Sequence, residues 1–370
     1  MMTYKEIYYF IGQCLSLDKH PGFRRTIVRK TLDEEINWDD FVQLSSDHLV
    51  IPALYLKFKD HGLLHVIPEE LTLMMTEIYE ANRIRNAQIL LQIDHLMTAL
   101  YPHKIYPVFL KGTANLLDGL YTDLGERMMH DIDFLVAEED YLRTAAILEK
   151  TGYSHASVSY FDYRGLRHYP SLCKEGEPAV VEIHRLPVSE KYADQFNPAV
   201  VFSNKKTVAG KPGVYVPTDR HKLLHTFIHS QLEHGCHANK QCSFRDFNDL
   251  YLLSKRVPVF TLPCLTRHRK KAVSWLAFGQ RVLDLPGLFY PFETRSAQWF
   301  VFRYDLALSH AKSYNGYRFI KKLIYLLLVR YAGGLIRAVF EKRQRQSVYR
   351  RLSNRQWYGA HLLSFKEYFS

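Results

Sequence analysis

The chain has 370 residues, 47% of them hydrophobic and 14% aromatic, which is enough for a sizeable core and for two or three domains. With 24% charged residues it does not have the composition of a disordered chain. Its longest purely apolar run, Leu323 to Val329, is far shorter than the roughly 20 residues of a membrane-spanning helix.

The net charge of +11 is concentrated near the C-terminus. Between Arg303 and Arg355 there are thirteen Lys and Arg residues against two acids, a difference that equals the whole net charge. The N-terminus lacks the layout of a secretion signal, and the five cysteines contain no CxxC pair. We therefore expect a cytoplasmic protein without a transmembrane segment.

Residues 1–102 are predicted to form a helical N-terminal region. Glu69 and Glu70 follow Pro68 as acids typical of a first helical turn. Apolar residues then recur at three-to-four spacing, at Ile89, Ile93, Met97 and Leu100. Pro102 is expected to end this helix.

Residues 103–205 are predicted to form an α/β core of order β-α-β-α-β-β. The run from Ile105 to Leu110 is typical of a strand, and Thr113 is expected to cap a helix from Ala114 to about Tyr121. The remaining predicted elements are a strand at 131–136, a helix at 138–150 and a hairpin with strands in 157–173 and 179–188.

The helical pattern returns after the core. We expect residues 206–287 to form a helical region that completes the functional unit, and residues 288–370 to form a basic helical C-terminal region. The predicted fold class is therefore α+β, with a small mixed β-sheet core flanked by helices and by helical N- and C-terminal regions.

The sequence "DIDFLV" places two acids at the start of a buried strand. Alternate strand residues share a face, so Asp131 and Asp133 project side by side while Ile132 points to the opposite face. Two carboxylates this close repel unless a cation lies between them, and Mg²⁺ usually binds one or two carboxylates together with phosphate oxygens. This pattern predicts metal-dependent phosphoryl or nucleotidyl transfer.

A later strand, "VVEIH", offers a third acid. Glu182 is the only acid in this apolar run, and His184 follows on its face. If this strand lies beside Asp131 and Asp133, Glu182 completes a metal-binding cluster.

The segment "KGT" predicts a phosphate-binding turn. A helix that begins after a strand offers free N–H groups to an anion. Lys111 adds a positive charge, Gly112 permits close approach of the backbone, and Thr113 adds a hydroxyl donor. Arg127 is expected to contact a phosphate or leaving group, and His130 to point to the other face unless the strand begins only at Asp131.

Each of these features also has an ordinary interpretation. The paired aspartates are compatible with a solvated strand edge, Lys-Gly with a simple turn, and the single Glu with an exposed edge. Their combination within one unit favours the metal-dependent site.

The segment from Phe109 to Tyr153 resembles the uncharacterised nucleotidyltransferase family of the DNA polymerase β superfamily, whose pattern is Leu-Lys-Gly, a helix, Tyr and Arg, Asp-Ile-Asp, a helix and Gly-Tyr. "VVEIHRLPV" is similar to its later acid-bearing strand, and residues 227–253 to its trailing helices. The resemblance spans about Leu44 to Leu253. The superfamily usually has Gly-Ser where this chain has Lys-Gly-Thr.

The resemblance implies a nucleotidyltransferase core with an NTP donor and Mg²⁺ (or Mn²⁺). Asp131, Asp133 and Glu182 would coordinate the metal, and Glu182 would also help to activate the acceptor as a base. The reaction would move an NMP to an acceptor hydroxyl or phosphate and release pyrophosphate. The acceptor stays open among a small molecule, a glycan precursor, RNA and a protein.

The alternative is a catalytically inactive module of the same fold. Such a module would use its basic region, residues 303–355, to bind nucleic acid or an anionic membrane surface. An acidic protein partner, or a core helix with a solvated basic face, would also account for these charges.

A His- and Cys-containing stretch at residues 225–242 suggests a zinc site. His225 and His229 are four residues apart, as a helical zinc pair can be, but the remaining spacing matches no closed site. The family resemblance suggests instead that His229 reaches toward the active site.

Overall fold

The N-terminal part of the protein is helical, as its sequence predicts. A computed structural model describes residues 1–156, 166–292, 294–353 and 358–359. Thr3 begins the first helix with a capping box, in which its hydroxyl accepts from the Glu6 N–H and its own N–H donates to the Glu6 carboxylate. The helices are α1 (Tyr4–Leu15), α2 (Phe23–Leu32), α3 (Trp38–Asp47), α4 (Ile51–Asp60) and α5 (Glu69–Leu100).

The long helix α5 packs its predicted apolar face into the core. All four residues of that face are buried: Ile89, Ile93, Met97 and Leu100. The helix ends at Leu100 and a 3-10 turn containing Pro102 follows, so the predicted end of the helix is confirmed.

A seven-stranded mixed sheet forms the centre of the fold, in the order β3-β4-β5-β2-β1-β7-β6. The central strand β2 pairs antiparallel with β1 and parallel with β5. The predicted α+β class with a mixed sheet is therefore confirmed. The strands are β1 (Val108–Phe109), β2 (Asp131–Leu135), β3 (Ser154–His155), β4 (Leu172–Cys173), β5 (Val180–His184), β6 (Lys205–Val208) and β7 (Lys211–Pro217).

Several elements of the core differ from the sequence prediction. The first strand has only two residues, and helix α6 (Lys111–Leu117) begins directly after it, so Thr113 lies inside the helix and Leu110 is its N-cap. Strands β6 and β7 join the sheet beyond the predicted end of the core at residue 205, because β7 pairs with the short strand β1. The predicted strand segment at 157–165 lies outside the described residues.

The two faces of β2 have different surroundings. Ile132 and Phe134 are fully buried in a core that includes Val181 and Ile183 of β5. Helix α5 and helix α7 (Tyr141–Lys150) supply further residues to this core. Since strand residues alternate, the acids of β2 are directed to the opposite face.

Helices follow the sheet, as predicted. They are α8 (Pro198–Ser203, before β6), α9 (Asp219–Thr226), a π-helix (Phe227–Glu233), α10 (Cys236–Asn239), α11 (Phe244–Ser254), α12 (Leu262–Leu265), α13 (Arg269–Val282) and α14 (Arg295–Ser309). The chain divides into two compact units, Met1–Asp305 and Leu306–Ser370, and the sheet belongs to the first. The division of the chain into four regions, at residues 1–102, 103–205, 206–287 and 288–370, stays a prediction.

The second unit is helical where it is described. It contains α15 (Ala311–Ile324), a second π-helix (Tyr325–Ala332), α16 (Gly333–Phe340) and α17 (Lys342–Leu352). Residues 354–357 and 360–370 of the predicted C-terminal region lie outside the described residues. Among the residues that are described, no helix has both the length and the apolar character needed to cross a membrane.

Candidate functional site

Two neighbouring parallel strands bring the predicted acids together. The register of β2 and β5 places Asp133 directly opposite Glu182. Asp131 lies on the same face of β2 as Asp133, and His184 on the same face of β5 as Glu182. The prediction that the Glu182 strand lies beside the aspartates is confirmed.

Asp133, Glu182 and His184 form a compact group of possible metal ligands. One ligand atom from each of them lies within 4.8 Å of the others. The His184 Nε2–H donates to Asp133 Oδ1 at 2.8 Å and lies 3.5 Å from Glu182 Oε2. Ser171 donates its hydroxyl to the other Glu182 oxygen at 3.1 Å. His184 thus orients Asp133, and Ser171 orients Glu182.

Asp131 lies beside this group without being part of it. Its carboxyl is half-buried, and burial together with the Asp133 charge raises its pKa. The sequence predicts a metal-binding cluster of Asp131, Asp133 and Glu182. In the structure, Asp133 and Glu182 lie closest to His184, and Asp131 is next to this group. The signal for His184 was its position two residues after Glu182.

Lys111 lies against the carboxylates. Its Nζ donates to Asp133 Oδ1 at 2.6 Å and lies 3.9 Å from Glu182 Oε2. Burial alone would raise the pKa of Asp133, but the Lys111 ammonium and the His184 hydrogen bond outweigh it and hold that pKa well below its usual range. The Lys111 backbone adopts φ of +50°, which is uncommon for a residue other than glycine. Asp133 is thus ionised and already paired with a cation.

Arg127, predicted to contact phosphate, is held by a residue that the sequence analysis did not select. Its Nε and Nη2 donate to the two Asp249 carboxylate oxygens at 3.1 and 3.0 Å. Asn115 and Tyr121 also donate to Asp249. Because the guanidinium is only 8% exposed, this is a buried bidentate ion pair that ties α11 to the segment before β2.

Gly112 and Thr113 pack against these neighbours. A Cβ at Gly112 would lie 2.2 Å from Arg127 Nη1, so the glycine makes room for the guanidinium. The Thr113 hydroxyl is buried and donates to the Asp131 backbone carbonyl at 3.4 Å. The structure therefore gives both residues packing partners inside the protein.

The auxiliary histidines occupy different positions. His130 is exposed just before β2, outside the Asp133–Glu182–His184 group. His229 lies in the π-helix, where the His234 N–H bonds to the His229 carbonyl and the two rings are 4.2 Å apart. Burial lowers the pKa of His229 well below its usual value, and the Lys111 charge adds to this effect. His229 is therefore a neutral imidazole within the electrostatic reach of Lys111.

The zinc hypothesis for residues 225–242 gains no support. The His225 Nε2–H donates to the Pro187 carbonyl at 3.0 Å, and His237 stacks on Phe300 with ring centroids 4.4 Å apart. Among the described residues, Asp133, Glu182 and His184 are the three possible metal ligands that lie close enough together to share one ion.

Arg245 is a second residue that the sequence analysis missed. It lies on α11 four residues before Asp249, and its Nη1 donates to the Met128 carbonyl at 3.3 Å. Its Nε is buried and has no hydrogen-bond partner within the described residues. Burial and the Asp133 charge raise the pKa of Asp131, and the Arg245 charge offsets part of this rise. In the run "RDFND", the sequence shows Arg245 and Asp249 four residues apart on one helix face, but it does not show that Asp249 pairs with Arg127 or that Arg245 lies near the Asp131 charge.

The residues of this face fit a divalent cation with oxygen ligands. Mg²⁺ usually takes one or two carboxylates, and ligating carboxylates are normally held by further hydrogen bonds. Asp133 and Glu182 offer such oxygens, each already oriented by a neighbour. Asp131 adds a third carboxylate on the same face.

The comparison with protein families agrees with this geometry. A family model described as an uncharacterised nucleotidyltransferase matches residues 34–283, well over half of the chain and including every residue discussed for the site. No curated protein matches the chain. By this match the protein belongs to the family of uncharacterised nucleotidyltransferases.

Proposed function

We propose that this protein is a Mg²⁺- or Mn²⁺-dependent nucleotidyltransferase that moves an NMP from an NTP to an acceptor hydroxyl or phosphate and releases pyrophosphate. The observation that carries the proposal is the group of Asp133, Glu182 and His184 on adjacent strands, beside Asp131. The group lies within the region matched by the nucleotidyltransferase family.

Asp131, Asp133 and Glu182 would hold the metal. When bound, the ion would polarise the donor phosphate and neutralise the charge that develops on it. His184 keeps Asp133 oriented through its 2.8 Å hydrogen bond, and the lowered pKa of Asp133 keeps that carboxylate free of a proton.

Glu182 would act as the base for an acceptor hydroxyl. The acceptor oxygen attacks the α-phosphorus of the NTP, a new P–O bond forms, and the bond to pyrophosphate breaks. The hydroxyl proton passes to the Glu182 carboxylate and then to water. Burial alone would raise the pKa of Glu182, but the His184 contact helps to bring it below its usual value, which keeps Glu182 in the deprotonated form that a base requires.

Lys111 and Arg245 would supply the positive charge for the donor phosphates. Arg127 is already paired with Asp249 through two of its nitrogens, whereas the Arg245 guanidinium has a buried, unsatisfied Nε among the described residues and interacts with the Asp131 charge. We therefore assign the direct phosphate contact to Arg245 and a positioning role to Arg127. Contacts of Gly112 and Thr113 with phosphate, and auxiliary roles of His130 and His229 at the active site, stay predictions.

Label transfer from NTP tests the proposal. The protein is incubated with each labelled NTP, Mg²⁺ or Mn²⁺ and a cell extract, and Asp131→Asn and Glu182→Gln are compared with the wild type. Glu175→Gln is the matched control, since Glu175 is exposed in the turn of the same β4–β5 hairpin. We expect transfer in the wild type and the control only. Transfer that survives both site substitutions would refute the catalytic assignment.

The non-catalytic alternative is supported by one observation. The Lys111 ammonium neutralises Asp133 internally, as it would in a site that binds no metal. Mn²⁺ binding, followed by electron paramagnetic resonance without nucleotide, separates the two. A catalytic site binds Mn²⁺ through Glu182, whereas an inactive module shows neither Mn²⁺ binding nor label transfer.

A further inference from the structure

The second unit exposes an unusual amount of apolar surface. The backbone stays helical from Ala311 to Phe340, since the residues at both junctions with the π-helix, Tyr325 and Gly333, have right-handed helical dihedrals. Such a stretch is about 45 Å long at 1.5 Å per residue. Its exposed large apolar residues are Tyr317, Phe319, Ile320, Ile324, Tyr325, Leu327, Leu328, Leu335, Ile336, Val339 and Phe340.

Part of this surface forms a stripe. Ile320, Ile324 and Leu328 follow at intervals of four residues, which places them on one side of the helix. They are 56%, 51% and 65% exposed, and Phe340 at the end of the stretch is 81% exposed. Isolated exposed apolar residues are ordinary on a protein, but a contiguous set marks a surface that binds something.

The same stretch is strongly basic. Residues 303–355 hold thirteen Lys and Arg residues against two acids. Lys312, Lys321 and Lys322 are exposed on α15, which carries Ile320 and Ile324 of the stripe, and Arg337 is exposed on α16. The surface therefore combines apolar side chains with positive charge.

We propose that the helical stretch from Ala311 to Phe340 docks the protein on an anionic membrane surface. Anionic headgroups complement the Lys and Arg side chains, and the acyl boundary takes up the Ile, Leu and Phe side chains. A nucleic-acid backbone would satisfy the charges, but it would leave the aliphatic side chains in water. The charges within the stretch favour a helix that lies in the plane of the interface.

Vesicle flotation of the full-length protein tests this surface. Phosphatidylcholine vesicles with and without phosphatidylglycerol are compared for the wild type, Ile324→Asn/Leu328→Asn and Lys321→Glu/Lys322→Glu. The matched control is Leu73→Asn/Leu91→Asn, because these leucines are both 59% exposed on α5 of the first unit. Circular dichroism confirms that each variant keeps its helices.

The wild type and the α5 control are expected to float with anionic vesicles and not with neutral ones. Each of the two double variants in the second unit should weaken this binding by about tenfold or more. Equal binding to both kinds of vesicle, or unchanged binding by the Ile324/Leu328 variant, would overturn the proposal. The proposal would also be overturned if the wild type does not bind vesicles but binds RNA in a salt-sensitive way or captures an acidic protein.

Discussion

Replacement of Asp249 by Asn tests how the buried ion pair holds the site together. The substitution keeps the shape of the side chain but removes the charge that balances the Arg127 guanidinium, which is 8% exposed. It also places amide hydrogens against the Arg127 donors, which lie 3.0–3.3 Å from the carboxylate oxygens. A charge left buried and unpaired in this way typically costs about 3–5 kcal/mol.

The expected loss is large compared with a typical unfolding free energy of about 5–15 kcal/mol. With a urea m-value of about 3 kcal/mol/M, the unfolding midpoint of the first unit should fall by about 1–1.7 M. Hydrogen exchange of β2 and β5 peptides in urea reports on the first unit separately, because it follows only the strands of its core.

Two further variants test whether the loss of stability comes from the buried ion pair. Asp60→Asn, at an exposed position near the end of α4, should change the unfolding free energy by less than about 0.5 kcal/mol. The double variant Arg127→Met/Asp249→Asn removes both charges, keeps a side-chain oxygen at residue 249 for the Asn115 and Tyr121 donors, and should be more stable than Asp249→Asn alone. If Asp249→Asn costs less than about 1 kcal/mol, or if the double variant is the less stable of the two, the ion pair does not hold α11 to the site.

Three further predictions concern packing, metal affinity and pH. Gly112→Ala should lower the unfolding free energy by about 1–3 kcal/mol, because the added Cβ would clash with the buried Arg127 guanidinium. The control Gly22→Ala should cost much less, because nothing lies within 4 Å of its Cβ. Equal losses for the two variants in urea unfolding would show that the Gly112 Cβ does not clash with Arg127. Ser171→Ala removes a hydrogen bond to Glu182 and should weaken Mn²⁺ binding about tenfold in paramagnetic resonance titrations; an unchanged affinity would show that this bond does not orient the ligand. Burial lowers the pKa of His225 to about 3, so the unfolded chain binds a proton at this residue below about pH 6.5 while the folded chain does not, and stability falls as the pH drops from about 6.5 toward 3. His225→Gln should therefore reduce the slope of the unfolding free energy against pH by up to about 1.4 kcal/mol per pH unit. If the variant and the wild type have the same slope, the pKa of His225 is not lowered by folding.

The local pattern of the sequence was sufficient for the strands that carry the acids. Side chains alternate along a strand, so Asp131-Ile132-Asp133 and Glu182-Ile183-His184 each divide into a polar face and an apolar face wherever the strands lie. The burial of Ile132 and Ile183 agrees with this division. The α5 face was predictable for the same reason, since helical periodicity is a property of neighbouring residues.

The sequence by itself determined the fold class, the family and the face on which the carboxylates lie, because these depend on local periodicity and on a contiguous motif. Only the tertiary structure decided which basic side chain pairs with which acidic side chain. Arg127 reaches Asp249 across 122 residues of sequence, and Lys111 reaches Asp133 across 22. Such contacts depend on the packing of α6 and α11 beside the sheet, and no local pattern of residues encodes a distance between elements so far apart in the chain.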